Sequence, residues 1–178
     1  MLAEDPSWAV SLAGKGIVFL IPYLNPWNWM NQESIAITEE ILDALYEGRA
    51  LDSKSPVVAS GGSMGGLCAL VFTKYAKNMP VRCVVNCPVC YHYSERPDLP
   101  RTLYSAYWHD QGDIQAAMEK RSPLHLSDVM PDTEYVLFHC EQDSAVNIHK
   151  HSDRFVKAMQ PTHKIEYHTV PGRDHCQL

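Results

Sequence analysis

The residues best placed to do chemistry lie in the run Ser60-Gly61-Gly62-Ser63-Met64-Gly65-Gly66, in which Gly61 to Gly65 fit the pattern G-x-S-x-G. A serine hydroxyl can attack a substrate only if it stands exposed on a sharp strand-to-helix turn. The strained backbone of such a turn leaves no room for bulk two residues away. Gly61 and Gly65 are expected to supply that clearance. A helix beginning just after Ser63 would aim its first free amides at the reacting centre, which makes the Met64 N–H a candidate oxyanion donor. Two other uses of a glycine-rich turn fail on spacing. A phosphate-binding loop wants a lysine after its last glycine, and a dinucleotide-binding turn wants G-x-G-x-x-G; neither is present here. Ser60 is the poorer nucleophile because Val58 sits two residues before it.

A serine hydroxyl is a weak nucleophile until a base takes its proton, so a histidine and an orienting carboxylate must be found. Asp143 follows the apolar run Tyr135-Val136-Leu137-Phe138 through a short loop. His175 follows the last β-rich run through Pro171-Gly172-Arg173-Asp174. Both are expected on loops at the carboxyl ends of strands, the edge where open α/β sheets bind ligands. Glu141 shares the Asp143 loop and stays an alternative acid, while Asp174 beside His175 is expected to point elsewhere. Among the nine histidines, His149, His151, His163 and His168 read as solvated or edge positions. His139, on the rising strand, reads as structural.

The elements that must position these groups alternate between short β-branched runs and longer amphipathic stretches, the pattern of an α/β fold with a mostly parallel sheet flanked by helices. Strands are predicted at Gly16–Ile21, Pro56–Ala59, Val81–Val85, Tyr135–Phe138 and Lys164–Val170. Helices are predicted at Ser34–Glu47, capped by Gly48, at Gly66–Lys77 and at Val146–Met159. Between residues 91 and 130 the regularity gives way to Pro, Tyr, His and Asp, with one helix predicted around Ile114–Lys120. This stretch reads as a lid-like insertion within one domain spanning residues 1–178.

The ordered trio Ser63, Asp143, His175 resembles the α/β-hydrolase superfamily, nearest its prolyl-oligopeptidase-like and dienelactone-hydrolase-like branches. The matching features are the small-residue turn, the segment Gln142-Asp143-Ser144-Ala145-Val146 and the terminal Gly172-Arg173-Asp174-His175; the likeness covers about Gly16 to His175. It implies a serine hydrolase working through an acyl-enzyme, with Ser63 as nucleophile, His175 as base and Asp143 as orienting acid. A carboxylic ester is the first substrate class implied, a short peptide the second, and a non-catalytic binding protein on the same fold the rival. It also implies a second oxyanion donor from the loop after the first strand, from the backbone of Tyr23 or Leu24. Trp27, Trp29, Tyr91 and Trp108 could wall a pocket for an apolar group. Few residues precede Gly16 or follow His175 by the family's pattern, so a minimal or truncated hydrolase is expected, with exposed sheet edge and a homodimer among its consequences.

Composition narrows the remaining choices. The chain has 178 residues, 46% hydrophobic and 20% charged, with a net charge of −6. That charge and the lack of basic runs argue against a nucleic-acid surface. The longest apolar run, Ile17–Ile21, is far too short to cross a bilayer, and the first residues carry no leader pattern, so a cytoplasmic location is expected. Of the six cysteines, Cys83, Cys87 and Cys90 have C-x3-C-x2-C spacing. Their place at the end of a strand, with no supporting glycine-rich signature, favours reduced, mostly buried thiols over a cluster site. No metal and no organic cofactor is expected.

Overall fold

The computed structural model describes residues 7–52, 54–92, 99–109 and 113–178. Four parallel strands, β1 (Val58–Gly62), β2 (Arg82–Asn86), β3 (Glu134–Cys140) and β4 (Ile165–Val170), lie side by side in chain order. Val58 pairs with Arg82, Arg82 with Glu134 and Tyr135 with Ile165. This register brings Gly62, Asn86 and Phe138 level at the carboxyl end. Parallel strands need long crossovers, and each here carries helix. The helix α3 (Met64–Tyr75) joins β1 to β2, and α7 (Ser152–Met159) joins β3 to β4. The long β2–β3 connection holds α4 (Leu99–Tyr107), α5 (Ile114–Glu119), α6 (Pro123–Leu126) and a single 3₁₀ turn. It is thus more helical than its composition suggests; residues 93–98 and 110–112 of the expected insertion, like residues 1–6, lie outside the described residues.

Burial explains why these stretches fold as they do. Leu67, Leu70 and Val71 on α3 are fully enclosed and pack with Cys83, Val85, Tyr135, Leu137, Phe155 and Met159 in one core, whereas Tyr75, at the same helical spacing, is exposed. The strands alternate as half-buried sheet should; β3 runs Tyr135, Leu137, His139 inward. The helix α2 (Gln32–Glu47) is capped at its start by Asn31, whose Oδ1 accepts the Ser34 N–H at 2.9 Å. Gly48 caps its end as expected, but with φ −72°; the left-handed residue is Arg49, at φ 57°.

The first predicted strand is not one. Residues 17–21 are extended without joining the sheet, and Ile17, Val18, Phe19 and Ile21 are each about half exposed. They follow a short helix, α1 (Ser7–Ala13). The Ile17 N–H returns to Leu12 O at 3.0 Å, and Phe19 packs edge-on against Trp8. An apolar run specifies a strand only when a neighbouring strand offers a ladder, and that neighbour is not written in the run itself.

The turn after β1 is tightly constrained, though not at both glycines the motif names. A Cβ on Gly61 would sit 2.2 Å from the Gly65 carbonyl oxygen, and one on Gly66 would sit 2.8 Å from Pro88 Cβ, whereas a Cβ on Gly65 meets nothing within 4 Å. The clearance therefore comes from Gly61, with Gly66 fitting the helix against the loop after β2. Gly61→Ala is expected to cost about 3 kcal/mol or more in urea unfolding. Gly65→Ala, in the first turn of α3, is expected to be neutral or to stabilise by up to about 1 kcal/mol.

Candidate active site

Ser63 stands between β1 and α3 with φ 55° and ψ −124°, a conformation that β-carbon sterics disfavour. It persists because its backbone is tied on both sides. The Ser63 N–H donates to Asn86 O at 3.0 Å, and its carbonyl accepts Gly66 N–H and Val89 N–H, both at 3.1 Å. The loop after β2 thus clamps the turn after β1. Ser63 is also the N-cap of α3 and makes no side-chain cap bond, so the helix leaves its first amides, beginning with Met64, free at this point.

The carboxyl ends of β3 and β4 supply the second half. The His175 Nδ1 lies 2.7 Å from Asp143 Oδ2, while Asp143 Oδ1 accepts the Ala145 and Val146 N–H groups at 2.9 and 2.7 Å. The Asp143 carboxylate is wholly enclosed. Burial pushes its pKa up, but the His175 ring, the Val146 amide, the Cys87 thiol and the Ala145 amide outweigh this and hold it below its ordinary value. Glu141, the alternative acid, is exposed. Asp174 turns away from the ring: its carboxylate accepts the Ser144 N–H, the Ser144 hydroxyl and the His175 N–H, stitching the Asp143 and His175 loops together.

Sequence reasoning undervalued His139. It is fully buried beneath Asp143, with Nε2 2.9 Å from Val146 O and 3.3 Å from Asp143 Oδ2, and Nδ1 2.6 Å from Ser152 Oγ. A carbonyl can only accept, so Nε2 carries the proton and Nδ1 accepts from the Ser152 hydroxyl. Burial lowers its pKa and keeps the ring neutral. His139 is thus a floor under Asp143, fixing the same Val146 segment whose amide the carboxylate uses. No local pattern signalled this role: His139 lies on β3 and Asp143 on the turn beyond its end, and only packing sets one beneath the other.

On its other side, the His175 Nε2 faces Cys176 Sγ at 3.7 Å. That sulfur also lies 3.6 Å from Asn86 O, and a Cβ on Gly62 would come within 3.3 Å of it, which places His175 beside the serine turn. Burial raises the Cys176 thiol, the opposite of what a thiolate nucleophile needs.

The expected pocket aromatics are dispersed. Trp29 is in the core: its indole N–H donates to Thr102 Oγ1 at 2.9 Å, and its carbonyl accepts the Tyr107 hydroxyl. Trp27 stacks on Trp29 and is partly exposed, Trp108 is 69% exposed, and Tyr91 lies against His125 with Arg154 over its ring. The Tyr23 side chain is 93% exposed, and Leu24 packs partly on the core. The loop beyond them is fixed by Asn28, whose Oδ1 accepts Met30 N–H at 2.8 Å and faces Cys68 of α3, and by Asn31, which donates to Ala106 O.

No family model and no curated protein sequence matches the chain. Solved structures do. A puromycin-hydrolyzing peptidase of Mycobacterium tuberculosis aligns with TM-score 0.66 at 20% identity, over 84% of this chain and 23% of that one. An S-formylglutathione hydrolase of Agrobacterium tumefaciens gives 0.60 at 21%, over 80% and 50%. The esterase Est2 of Thermogutta terrifontis gives 0.56 at 18%, over 81% and 55%. The chain has the α/β-hydrolase fold. It spans between about a quarter and a little over half the length of these structures. Among the described residues, no helix is long and apolar enough to cross a membrane.

Acid should destabilise the site and its surroundings by a definite route. Burial holds His139 below its ordinary value; it also lowers His92 to about 3 and His151 to about 4. A histidine held below its unfolded value of about 6.5 contributes stability that is fully present above that pH and is lost as pH falls through the folded value. The urea midpoint is expected to fall steadily from about pH 6.5 toward pH 4, before carboxylates protonate; a flat midpoint across that window would contradict neutral burial of these rings.

Proposed function

We propose that the chain is a serine hydrolase in which Ser63 attacks a carboxylic ester and His175 and Asp143 activate it. The observation that carries this reading is the hydrogen bond between His175 Nδ1 and an enclosed Asp143 carboxylate, set beside a strained serine at a strand-to-helix turn. In the reaction, His175 Nε2 takes the Ser63 hydroxyl proton as Oγ attacks the carbonyl carbon. The negative oxygen that forms is met by the Met64 N–H and by a second amide from Tyr23 or Leu24. Collapse expels the alcohol, which receives the proton from His175. Water then repeats the sequence on the acyl-enzyme and releases the acid. Asp143 holds the imidazole in the tautomer with its proton on Nδ1, leaving Nε2 free to act as base. For Nε2 to reach Ser63 Oγ, it must exchange its contact with Cys176 Sγ for one with the hydroxyl.

An ester is the first substrate class in this reading because an esterase and an S-formylglutathione hydrolase are among the structures that share the fold. The peptidase reading rests on the puromycin-hydrolyzing neighbour.

Labelling with a fluorophosphonate is expected to modify Ser63 and to vanish in Ser63→Ala. Hydrolysis of p-nitrophenyl acetate is expected to fall by on the order of 10³-fold or more in Ser63→Ala, His175→Ala and Asp143→Asn. Labelling of a folded sample at another residue, or none, would set the catalytic reading aside.

A further inference from the structure

Three donor atoms that the proposed chemistry does not use together converge at the edge of the site: Cys87 Sγ, Cys176 Sγ and a ring nitrogen of His175, all within 4.8 Å of one another. Cys87 is the residue after β2, and Cys176 follows His175. Both take left-handed backbone angles, φ 44° and 55°, that cost a non-glycine residue on the order of 1 kcal/mol each. We propose that these three residues form a binding site for a thiophilic divalent cation such as Zn²⁺, and that the ion switches the hydrolase off by occupying the base.

The geometry favours a metal in four ways. With Nδ1 on Asp143, the nitrogen left for a metal is Nε2, and a carboxylate on the distal nitrogen is the usual support of a metal-bound histidine. The Nε2 to Cys176 Sγ distance is 3.7 Å. A tetrahedral zinc with ordinary Zn–S and Zn–N bonds sets that edge at about 3.6 Å. Cys87 Sγ accepts two backbone N–H groups, from Cys140 and Cys176, each at 3.4 Å. A neutral thiol makes poor use of two donors, whereas a thiolate uses both. Coordination to a cation displaces the thiol proton and leaves the thiolate that both N–H groups suit. Two sulfurs and one imidazole suit zinc among common divalent ions, with water as the fourth ligand. A second grouping, of Cys87 with His139 and Asp143, is weaker because both His139 nitrogens are already engaged.

Binding balances as two thiol protons released to solvent while two thiolates and the neutral Nε2 lone pair coordinate the ion; no electron moves. That same lone pair is the one a base would offer to Ser63. Coordination and proton abstraction therefore exclude each other. The inhibitory half of the proposal rests on the serine-hydrolase reading, whereas the binding half does not.

Cobalt(II) titration of the reduced protein reads binding alone. A thiolate-to-cobalt charge-transfer band is expected at one equivalent, displaced by Zn²⁺ and lost in both Cys176→Ala and Cys87→Ala. Cys176→Ala, on an external turn, carries the test if the buried Cys87 variant does not fold by circular dichroism. In parallel, Zn²⁺ is expected to slow fluorophosphonate labelling about tenfold or more. EDTA should reverse the effect, and Cys176→Ala should label at an unaltered rate in zinc. A folded wild type without the band, or equal zinc inhibition of Cys176→Ala, would overturn the site. A Cys176-dependent band in a protein that never labels would uphold the site and remove the hydrolase reading instead.

Discussion

The hydrogen bond between His175 Nδ1 and Asp143 is the constraint from which the rest of the site follows. It joins the loop after β4 to the loop after β3 and fixes which histidine nitrogen faces the serine turn. An enclosed carboxylate would be costly without partners. Here it has the imidazole, the Ala145 and Val146 amides and the floor formed by His139. His139 in turn needs the Ser152 hydroxyl at the start of α7. The network therefore reaches from the site surface into the helix that packs behind β3 and β4, and its members are held by buried groups and not by flexible surface contacts.

The serine turn is positioned by a separate but touching set of bonds. Asn86 O at the end of β2 takes the Ser63 amide, and Pro88 closes on Gly66, so the second strand and its loop hold the turn of the first. Parallel register makes this work, because it sets Gly62 and Asn86 level at one edge. Cys87 and Cys176 lie where the two sets of bonds meet. That position explains why the same residues can be read as ligands: they bridge the ends of β2 and β4 next to the proposed base.

Much of this was legible in the sequence, and the reasons differ by element. The turn at Ser63 announces itself because strain and close approach admit few residue types. Asp143 and His175 stand out in the sequence by their place after apolar runs, which is a matter of topology and not of distance; the structure sets the pair 2.7 Å apart. The parallel sheet followed from alternating runs. What the sequence did not disclose was relational. Residues 17–21 have the composition of a strand but no partner, so they lie exposed. Trp29 has the look of a pocket wall but its polar atoms find Thr102 and Tyr107, so it is core. Gly65 belongs to the motif, yet the contact that demands glycine falls on Gly61. His139 is an ordinary strand residue until Asp143 is seen above it. Pairwise contacts of this kind come from packing across the chain, and no local pattern encodes them.

The most direct test of the proposed role of this hydrogen bond is a crystal structure of the protein after reaction with a small phosphonate ester. The account expects phosphorus bonded to Ser63 Oγ, the phosphoryl oxygen facing the Met64 N–H, His175 Nδ1 still on Asp143, and Nε2 turned from Cys176 Sγ toward the adduct. An adduct on any other side chain, or a bonded Ser63 with His175 parted from Asp143, would contradict it.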